Sequence, residues 1–150
     1  MSNDRPEPER IQDPALLLAI LDHLPTSIFA KDEKLRFVYS NAAHCAMIGH
    51  PEATLLGQTD ADFYPAAEAV DFLARDRKVI EDGLTIESEE IATGASGLSS
   101  DVLTRKTRLV APDGRRFLIG TNTDLTDMRK REEQYRALAQ TVPVGVWHVD

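Results

Sequence analysis

The sequence contains little cysteine and no long apolar segment. Cys45 is the only cysteine among its 150 residues, which excludes an internal disulfide and a zinc site built from several thiolates. The longest apolar run, residues 15–21, is much shorter than the roughly 20 residues that a membrane-spanning helix needs. The N-terminal residues include no apolar signal-peptide segment. We therefore predict a soluble, cytoplasmic protein without direct membrane insertion.

Basic residues are also few. The chain has 17 Lys and Arg residues against 25 Asp and Glu residues, so its formal net charge is −8. Such a charge repels phosphate backbones, so we expect no nucleic-acid partner. Hydrophobic residues make up 42% of the chain, which is ordinary for a globular domain with a single core.

The first third of the chain predicts a leader, a helix, a hairpin and a second helix. Residues 1–13 carry charges and prolines with almost nothing to bury, so we predict a disordered leader. Asp13 and Pro14 supply the cap and first position of an amphipathic helix. The β-prone runs TSIFAK and LRFVYS follow as a hairpin. Asn41 then caps a short helix that ends at Gly49.

A long helix and three strands occupy the middle of the chain. The helix runs from Pro65 to Gly83, and its predicted buried face comprises Ala66, Ala69, Val70, Leu73 and Ile80. Strand-like runs follow at residues 84–93, 99–111 and 115–124, separated by turns rich in glycine, serine and proline. Strands on both sides of a helical block, joined by hairpins, predict an α+β fold with an antiparallel sheet.

The chain becomes helical again after Asp124. Apolar residues recur at heptad positions, namely Leu125, Met128, Tyr135, Ala139 and Val142. We predict a connecting helix over residues 125–141, either in a coiled coil or folded back on the sheet. The segment VPVGVWHVD at 142–150 aligns without gaps with LPTSIFAKD at 24–32. It is therefore predicted to be the first strand of a second, truncated copy of the same domain.

Four stretches of the sequence resemble the PAS domain, a sensory module of bacterial signalling proteins. They are GQTDADFYP at 57–65, RKVIEDGLTIESEE at 77–90, RKTRLVAPDG at 105–114 and TDLTDMRKREE at 123–133. The resemblance implies a PAS fold over residues 14–124. This fold has a five-stranded antiparallel sheet with helices on one face, here flanked by the N-terminal amphipathic helix and the C-terminal connecting helix.

The last two strands supply the candidate ligand pocket. Alternation places Leu118, Gly120 and Asn122 on one side of the last strand. By resemblance, Asn122 falls where flavin-binding PAS relatives place a glutamine against their cofactor, and the missing side chain of Gly120 leaves space beside it. Thr104 and Lys106 on the preceding strand complete the set of pocket candidates.

Lys106 raises a question of charge. If its ammonium faces inward, it needs either a local carboxylate or an anionic ligand, because an unpaired buried charge is costly. Glu89 and Asp60 are the candidate carboxylates.

The junction after the last strand is a candidate for signal coupling. Asp124, Thr126 and Asp127 lie where a strand becomes a helix, so their oxygens can accept hydrogen bonds from free amides of the first helical turn. The stretch resembles the Asp-Ile-Thr signature through which PAS domains connect to the next module. A ligand that shifts the last strand would move this cap and the helix with it.

We expect no prosthetic group and no metal. Cys45 lies in AHCAMI, unlike the cysteine motif of flavin-adduct relatives, and residues 65–82 contain no histidine of the kind that heme-binding relatives use. The four histidines lack metal-ligand spacing, and no catalytic motif is present. A small organic ligand, or a ligand-free role, remains, and this segment is predicted to have no catalytic residues.

The resemblance implies a sensory and dimerisation module that relays a conformational signal through its C-terminal helix. The output domain that we expect is a histidine kinase of a two-component system. The alternatives are the PAS module of a diguanylate cyclase or phosphodiesterase, and a ligand-free structural spacer. The expected partners are a second copy, bound through the N-terminal and C-terminal helices, and downstream PAS and output domains of the same protein.

Overall fold

The computed structural model describes residues 6–140. Residues 6–13 form neither helix nor strand and are exposed. The predictions for residues 1–5 and for the second domain copy at 142–150 concern residues outside the described part. In chain order the elements are α1 (Pro14–His23), β1 (Ser27–Lys31), β2 (Phe37–Ser40), α2 (Ala42–Ile48), α3 (Glu52–Leu55), a 3₁₀ helix (Asp60–Asp62), α4 (Ala66–Asp82), β3 (Ile86–Thr93), β4 (Ser99–Val110), β5 (Arg116–Asp124) and α5 (Leu125–Gln140).

The five strands form one antiparallel sheet in the order β2-β1-β5-β4-β3. The last strand in the chain, β5, therefore lies at the centre, and β2 and β3 are the edges. Hairpins join β1 to β2, β3 to β4 and β4 to β5, as the turn residues indicate. The predicted α+β fold with a five-stranded antiparallel sheet is confirmed.

Helices α2, α3 and α4 pack on one face of this sheet. Their apolar side chains meet those of the inner sheet face in a core that is almost free of solvent. Its buried members are Phe29, Leu35, Phe37, Ile48, Leu55, Val79, Ile80 and Leu118.

Asn41 connects the N-terminal helix to this core. Its side-chain oxygen accepts hydrogen bonds from the backbone amides of His44 and Ile28, at 3.0 and 2.9 Å. Its amide nitrogen donates to the carbonyl oxygens of Leu21 and Thr26, at 3.0 and 2.8 Å. The residue predicted as a helix cap thus joins α1, β1 and α2, because all four of its hydrogen-bonding positions are used in a fully buried site.

The buried face of α4 differs from the predicted one. Val70 is 66% exposed, whereas Asp76 is fully buried. The helix turns its Phe72, Asp76 and Val79 edge toward the sheet because ion pairs with buried lysines hold Asp76 inside. The predicted face was wrong in part because it was drawn from apolar residues alone and left out the buried charge of Asp76.

Helix α5 begins directly after β5. The backbone amide of Thr126 donates to Asp124 Oδ1 at 2.8 Å, which is the predicted cap geometry. Arg129, one turn into the helix, forms ion pairs with Asp101 on β4 and Glu89 on β3. Met128 and Tyr135 are more than half exposed, so the helix does not bury these heptad positions on the sheet.

Within residues 6–140, no helix is both long and apolar enough to cross a membrane.

Candidate functional site

A network of buried charges lies between the sheet and α4. Lys31, at the end of β1, donates from Nζ to Asp60 Oδ2 at 2.6 Å and to Asp76 Oδ2 at 2.5 Å. All three side chains are at most 5% exposed. Lys31 shares the inward alternation of Ser27 and Phe29 on its strand, so the strand itself directs its ammonium into the core.

Lys106 forms the second half of the network. Its Nζ forms ion pairs with Asp76 Oδ1 at 2.9 Å and with Glu90 Oε1 at 3.5 Å. Arg75 completes the chain of charges, with Nη1 3.0 Å from the same Glu90 oxygen. Three cations thus face three carboxylates, which leaves the interior electrically balanced.

Local structure positions the carboxylates. Asp60 opens a 3₁₀ turn that a reciprocal capping box between Thr59 and Asp62 fixes. Asp76 lies in the middle of α4, where helical spacing places it beside Phe72 and Val79. Both carboxylates lie on helical elements, whose fixed backbone reduces the entropic cost of pairing.

The network shifts the protonation of its members. Burial alone would lower the pKa of Lys31, but the carboxylates of Asp60 and Asp76 outweigh it and raise the pKa of this ammonium. For Asp76, burial acts to raise the pKa, and Lys31 and Lys106 reverse this and lower it. Both groups are therefore charged at neutral pH.

Several aromatic rings surround the Lys31 ammonium. The rings of Phe29 and Phe37 have centroids 5.4 and 5.0 Å from Lys31 Nζ, within the range of cation–π attraction. The His44 ring lies 4.9 Å from that of Phe29, and its Nδ1 is 2.6 Å from Ser40 Oγ. Burial, assisted by the nearby Lys31 charge, lowers the pKa of His44 to about 3.

A small cavity adjoins the network. Its volume is about 20 Å³, which is room for about one water molecule. Thr104 Oγ1 donates to Asn122 Oδ1 at 2.8 Å at its edge. The lining combines both lysines with aromatic and polar groups: Phe29, Lys31, Phe37, His44, Asp60, Tyr64, Phe72, Glu90, Ala92, Val102, Thr104, Lys106 and Asn122.

The structure brings three of the five predicted pocket residues to the cavity, namely Thr104, Lys106 and Asn122. Leu118 is fully buried in the apolar core instead. Gly120 faces inward, but the ring of Phe29 fills the predicted space above it, since a Cβ there would lie 2.1 Å from Phe29 Cζ. That space is absent because Phe29 is the cross-strand neighbour of Gly120.

Lys106 faces inward, but its carboxylate partners differ from the two predicted candidates. Glu89 points to the outer face of the sheet, where it meets Arg129. Asp60 pairs with Lys31 rather than with Lys106. Asp76 and Glu90 supply the local carboxylates for Lys106, because α4 and the inward alternation of β3 place them beside it.

The predicted coupling residues lie at the start of α5. Asp124 caps the helix, and the side chain of Thr126 is exposed. Asp127 is the third residue of α5. Their role in signalling stays a prediction.

Four residues of the site are absent from the set of predicted pocket residues: Lys31, Asp76, Glu90 and His44. Signals for two of them exist in the sequence. Lys31 continues the inward alternation of SIFAK, and Asp76 occupies an apolar stripe of α4 at spacing i+4 from Phe72. A charged residue on an otherwise buried stripe indicates a buried ion pair, provided that a partner can be found.

Across residues 6–140, no group of three or more His, Cys, Asp or Glu side chains is arranged to hold a metal ion. Every carboxylate of the buried network instead faces a lysine or an arginine.

Comparison with known proteins yields a family match. A family model described as the PAS fold matches residues 21–130. The chain is 31% identical over 130 residues to a diguanylate cyclase of Vibrio cholerae, covering 81% of this chain and 39% of that protein. It is also 31% identical over 142 residues to the uncharacterized protein y4lL of Sinorhizobium fredii, covering 88% of this chain and 17% of that protein. The chain thus spans less than half the length of either curated relative.

Solved structures show the same fold. VqmA of Vibrio cholerae, described as a LuxR-type receptor, is 29% identical, with a TM-score of 0.69 over 78% of this chain and 53% of VqmA. One structure of VqmA is described as bound to DPO, and another as a complex with ligand and DNA. A PAS domain from a two-component sensor histidine kinase is 21% identical, with a TM-score of 0.61 over 73% of this chain and 94% of that domain.

The exclusion of nucleic acid as a partner is wrong. VqmA contains a region similar to this chain and is a DNA-binding receptor. Net charge fails as a criterion because it describes the segment that carries it and not a binding surface elsewhere in a longer protein. The comparisons do not establish the predicted homodimer through the N-terminal and C-terminal helices or the predicted downstream domains.

Removal of the shared carboxylate should destabilise the fold. In Asp76→Asn, both lysine ammonium groups lose their common counter-charge, and we expect a loss of about 3–5 kcal/mol in the free energy of unfolding. Urea denaturation at pH 7 measures it. The control is Asp71→Asn on the exposed side of the same helix, which should change stability by less than about 0.5 kcal/mol. Equal stability of the two variants would contradict the assignment.

His44 should make the protein acid-sensitive. Its pKa is about 3 in the folded protein and 6.5 in an exposed setting, so below pH 6.5 the unfolded chain binds a proton that the folded chain does not. Stability should therefore fall between pH 6.5 and 3, by up to roughly 1.4 kcal/mol per pH unit. Urea titrations at pH 7.5 and 5.5 measure this fall in the free energy of unfolding. The difference between the two pH values should be smaller in His44→Gln and unchanged in the exposed variant His23→Gln. The same difference in His44→Gln as in the wild type would refute the attribution to His44.

Proposed function

Because this chain belongs to the PAS fold family, we propose that it is a cytoplasmic sensory module whose buried cavity binds a small polar molecule. Helix α5 then passes the resulting change to an output domain. The observation that carries the proposal is the buried ion network along the cavity wall, in which Lys31 and Lys106 share the carboxylate of Asp76.

Stability alone is a weak reason for such a network. Replacement of a buried ion pair by well-packed apolar residues is often neutral or stabilising, so a core that served only as a spacer gains little from six charged groups. Strongly perturbed ionisable groups beside a cavity are typical of functional sites. The network therefore supports ligand sensing over the ligand-free spacer.

The size of the cavity limits the ligand. A volume of about 20 Å³ requires side chains to move before anything larger than water binds. The hydrogen bond between Thr104 and Asn122 offers one donor and one acceptor to a polar ligand that replaces it. The structures of VqmA described as bound to DPO and as a complex with ligand and DNA support ligand binding in a chain of this kind.

The polar pair of the cavity should be required for ligand binding. In the double variant Thr104→Val/Asn122→Leu, both partners of a buried hydrogen bond are replaced by apolar groups of similar shape, which costs little stability. We expect native mass spectrometry of the protein isolated from its own cells to show a bound small molecule in the wild type and at least tenfold less in the variant.

Thr107→Val on the half-buried outer side of β4 is the matched control and should retain the ligand. Thermal denaturation checks that all three proteins fold. A wild-type spectrum without any bound molecule, under conditions that keep the protein folded, favours the spacer and overturns the proposal.

The TDLTDMRKREE stretch resembles PAS connectors, so we propose that an output domain follows it in the full-length protein, with a histidine kinase as the first candidate. A diguanylate cyclase is the second candidate. The match to the Vibrio cholerae enzyme favours it, because that similarity exceeds 30% over most of this chain.

The two outputs differ in their nucleotide substrates. A histidine kinase should incorporate the γ-phosphate of ATP into its own chain, whereas a diguanylate cyclase should convert GTP into a cyclic dinucleotide. Incubation of the full-length protein with each radiolabelled nucleotide, followed by gel and thin-layer analysis, separates them. GTP turnover without self-phosphorylation would reject the kinase proposal.

A further inference from the structure

A surface groove follows the contact line between α4 and β3, which we term the α4–β3 seam. The groove has a volume of about 360 Å³. Phe72 and Glu90 line both this groove and the buried cavity, so these two side chains separate the cavity from solvent at the seam. The groove is lined by Ala67, Glu68, Asp71, Phe72, Arg75, Glu89, Glu90 and Ile91.

Two polar contacts hold the seam closed. The carboxylate of Glu68 accepts from the backbone amide and the hydroxyl of Thr93, at 2.8 and 2.7 Å. Two turns further along the same face of α4, Arg75 binds Glu90 at 3.0 Å. The Arg75 side chain is 38% exposed, whereas that of Glu90 is 5% exposed, so solvent reaches this ion pair from one side only.

The remaining contacts of Glu90 are long. Lys106 Nζ lies 3.5 Å from its carboxylate and Ser88 Oγ lies 3.3 Å from it. If Glu90 moves outward with Arg75, Lys31 and Lys106 remain opposite Asp60 and Asp76. Opening therefore leaves two cations and two anions inside, and the interior stays balanced.

The sheet topology favours opening at this seam. Strand β3 is an edge strand that pairs only with β4, so it can move without breaking a second ladder of hydrogen bonds. A second surface cleft, near Ala43 and of about 190 Å³, reaches the cavity through Asn122. Asn122 belongs to β5, which pairs on both sides, so opening there disrupts more backbone hydrogen bonds.

We propose that the α4–β3 seam is the entrance to the cavity and that Arg75, by holding Glu90, is its latch. The biological purpose of an entrance rests on the proposed ligand-sensing function. The opening itself does not, and it can be measured with a reagent that is not the ligand.

The rate at which a single buried thiol is labelled measures the opening of the seam. In a Cys45→Ala background the chain has no other cysteine, and Val102→Cys places one beside Phe72 in the cavity wall. The probe is methyl methanethiosulfonate: an accessible thiolate attacks its sulfenyl sulfur, a methyl disulfide forms on the cysteine, and methanesulfinate leaves. We expect Arg75→Ala to increase the labelling rate about fivefold, the order expected for loss of one partly exposed ion pair. Arg77→Ala, exposed on the same helix, should leave the rate unchanged.

Two blocking variants locate the route. Ala67→Trp fills the groove at the seam and should slow labelling by at least threefold, whereas Ala43→Trp fills the second cleft and should have no effect. The opposite result, with Ala43→Trp slowing the reaction and Ala67→Trp leaving it unchanged, overturns the proposal. If Val102→Cys fails to fold, Thr104→Cys reports on the same cavity.

Opening that does not involve the seam is measured separately. Ser40→Cys places a thiol in a buried site on β2 that does not line the cavity, so its labelling rate reports unfolding or local fluctuation away from the seam. Equal rates at Ser40→Cys and Val102→Cys in every variant would show that no opening specific to the seam exists. Seam-dependent labelling combined with a native mass spectrum free of ligand would reject the sensing function and retain the entrance.

Discussion

Asp76 is the group on which the interior depends, because it is the shared counter-ion of two buried lysines. Its oxygens face Lys31 from β1 and Lys106 from β4, so one carboxylate from α4 joins two strands that are not neighbours in the sheet. A single buried charge would be too costly, and two unpaired ammonium groups more so. Strand alternation directs both lysines inward, and the orientation of α4, with Val70 exposed, places Asp76 between them.

The buried ion pairs join α4 to strands β1, β3 and β4. Ion pairs in a low-dielectric setting tolerate little displacement, so any molecule that competes for Lys106 or Glu90 acts on α4 and β3 together. The neighbouring residue Glu89 contacts Arg129 of α5 on the other face of the sheet. Strand β3 therefore places the carboxylate of Glu90 at the cavity and that of Glu89 at α5. The strand thus lies between the cavity and this helix.

Much of this arrangement follows from periodicity. Alternation predicts that Leu118, Gly120 and Asn122 share one face of β5, and all three face inward, because a strand directs every second side chain to the same face. Thr104 and Lys106 on β4 face inward by the same rule. The same rule applies to Lys31, and helical spacing applies to Asp76. Lys31 and Asp76 are nevertheless missed when elements are oriented by their apolar residues, because that procedure assigns every charged side chain to the surface. The net charge of the segment likewise gave no valid conclusion about nucleic acid.

Local sequence patterns were enough to predict the caps at Asn41 and Asp124, the three hairpins and the positions of α1, α2, α4 and α5, because these features depend on neighbours within a few residues. The pairing of each carboxylate with its ammonium group, and the filling of the space beside Gly120, became visible only in the folded structure. The partners of Lys31 are 29 and 45 residues away in the chain, and Phe29 reaches Gly120 across a strand pair. Contacts over such separations depend on how the helices pack on the sheet, which no local pattern records.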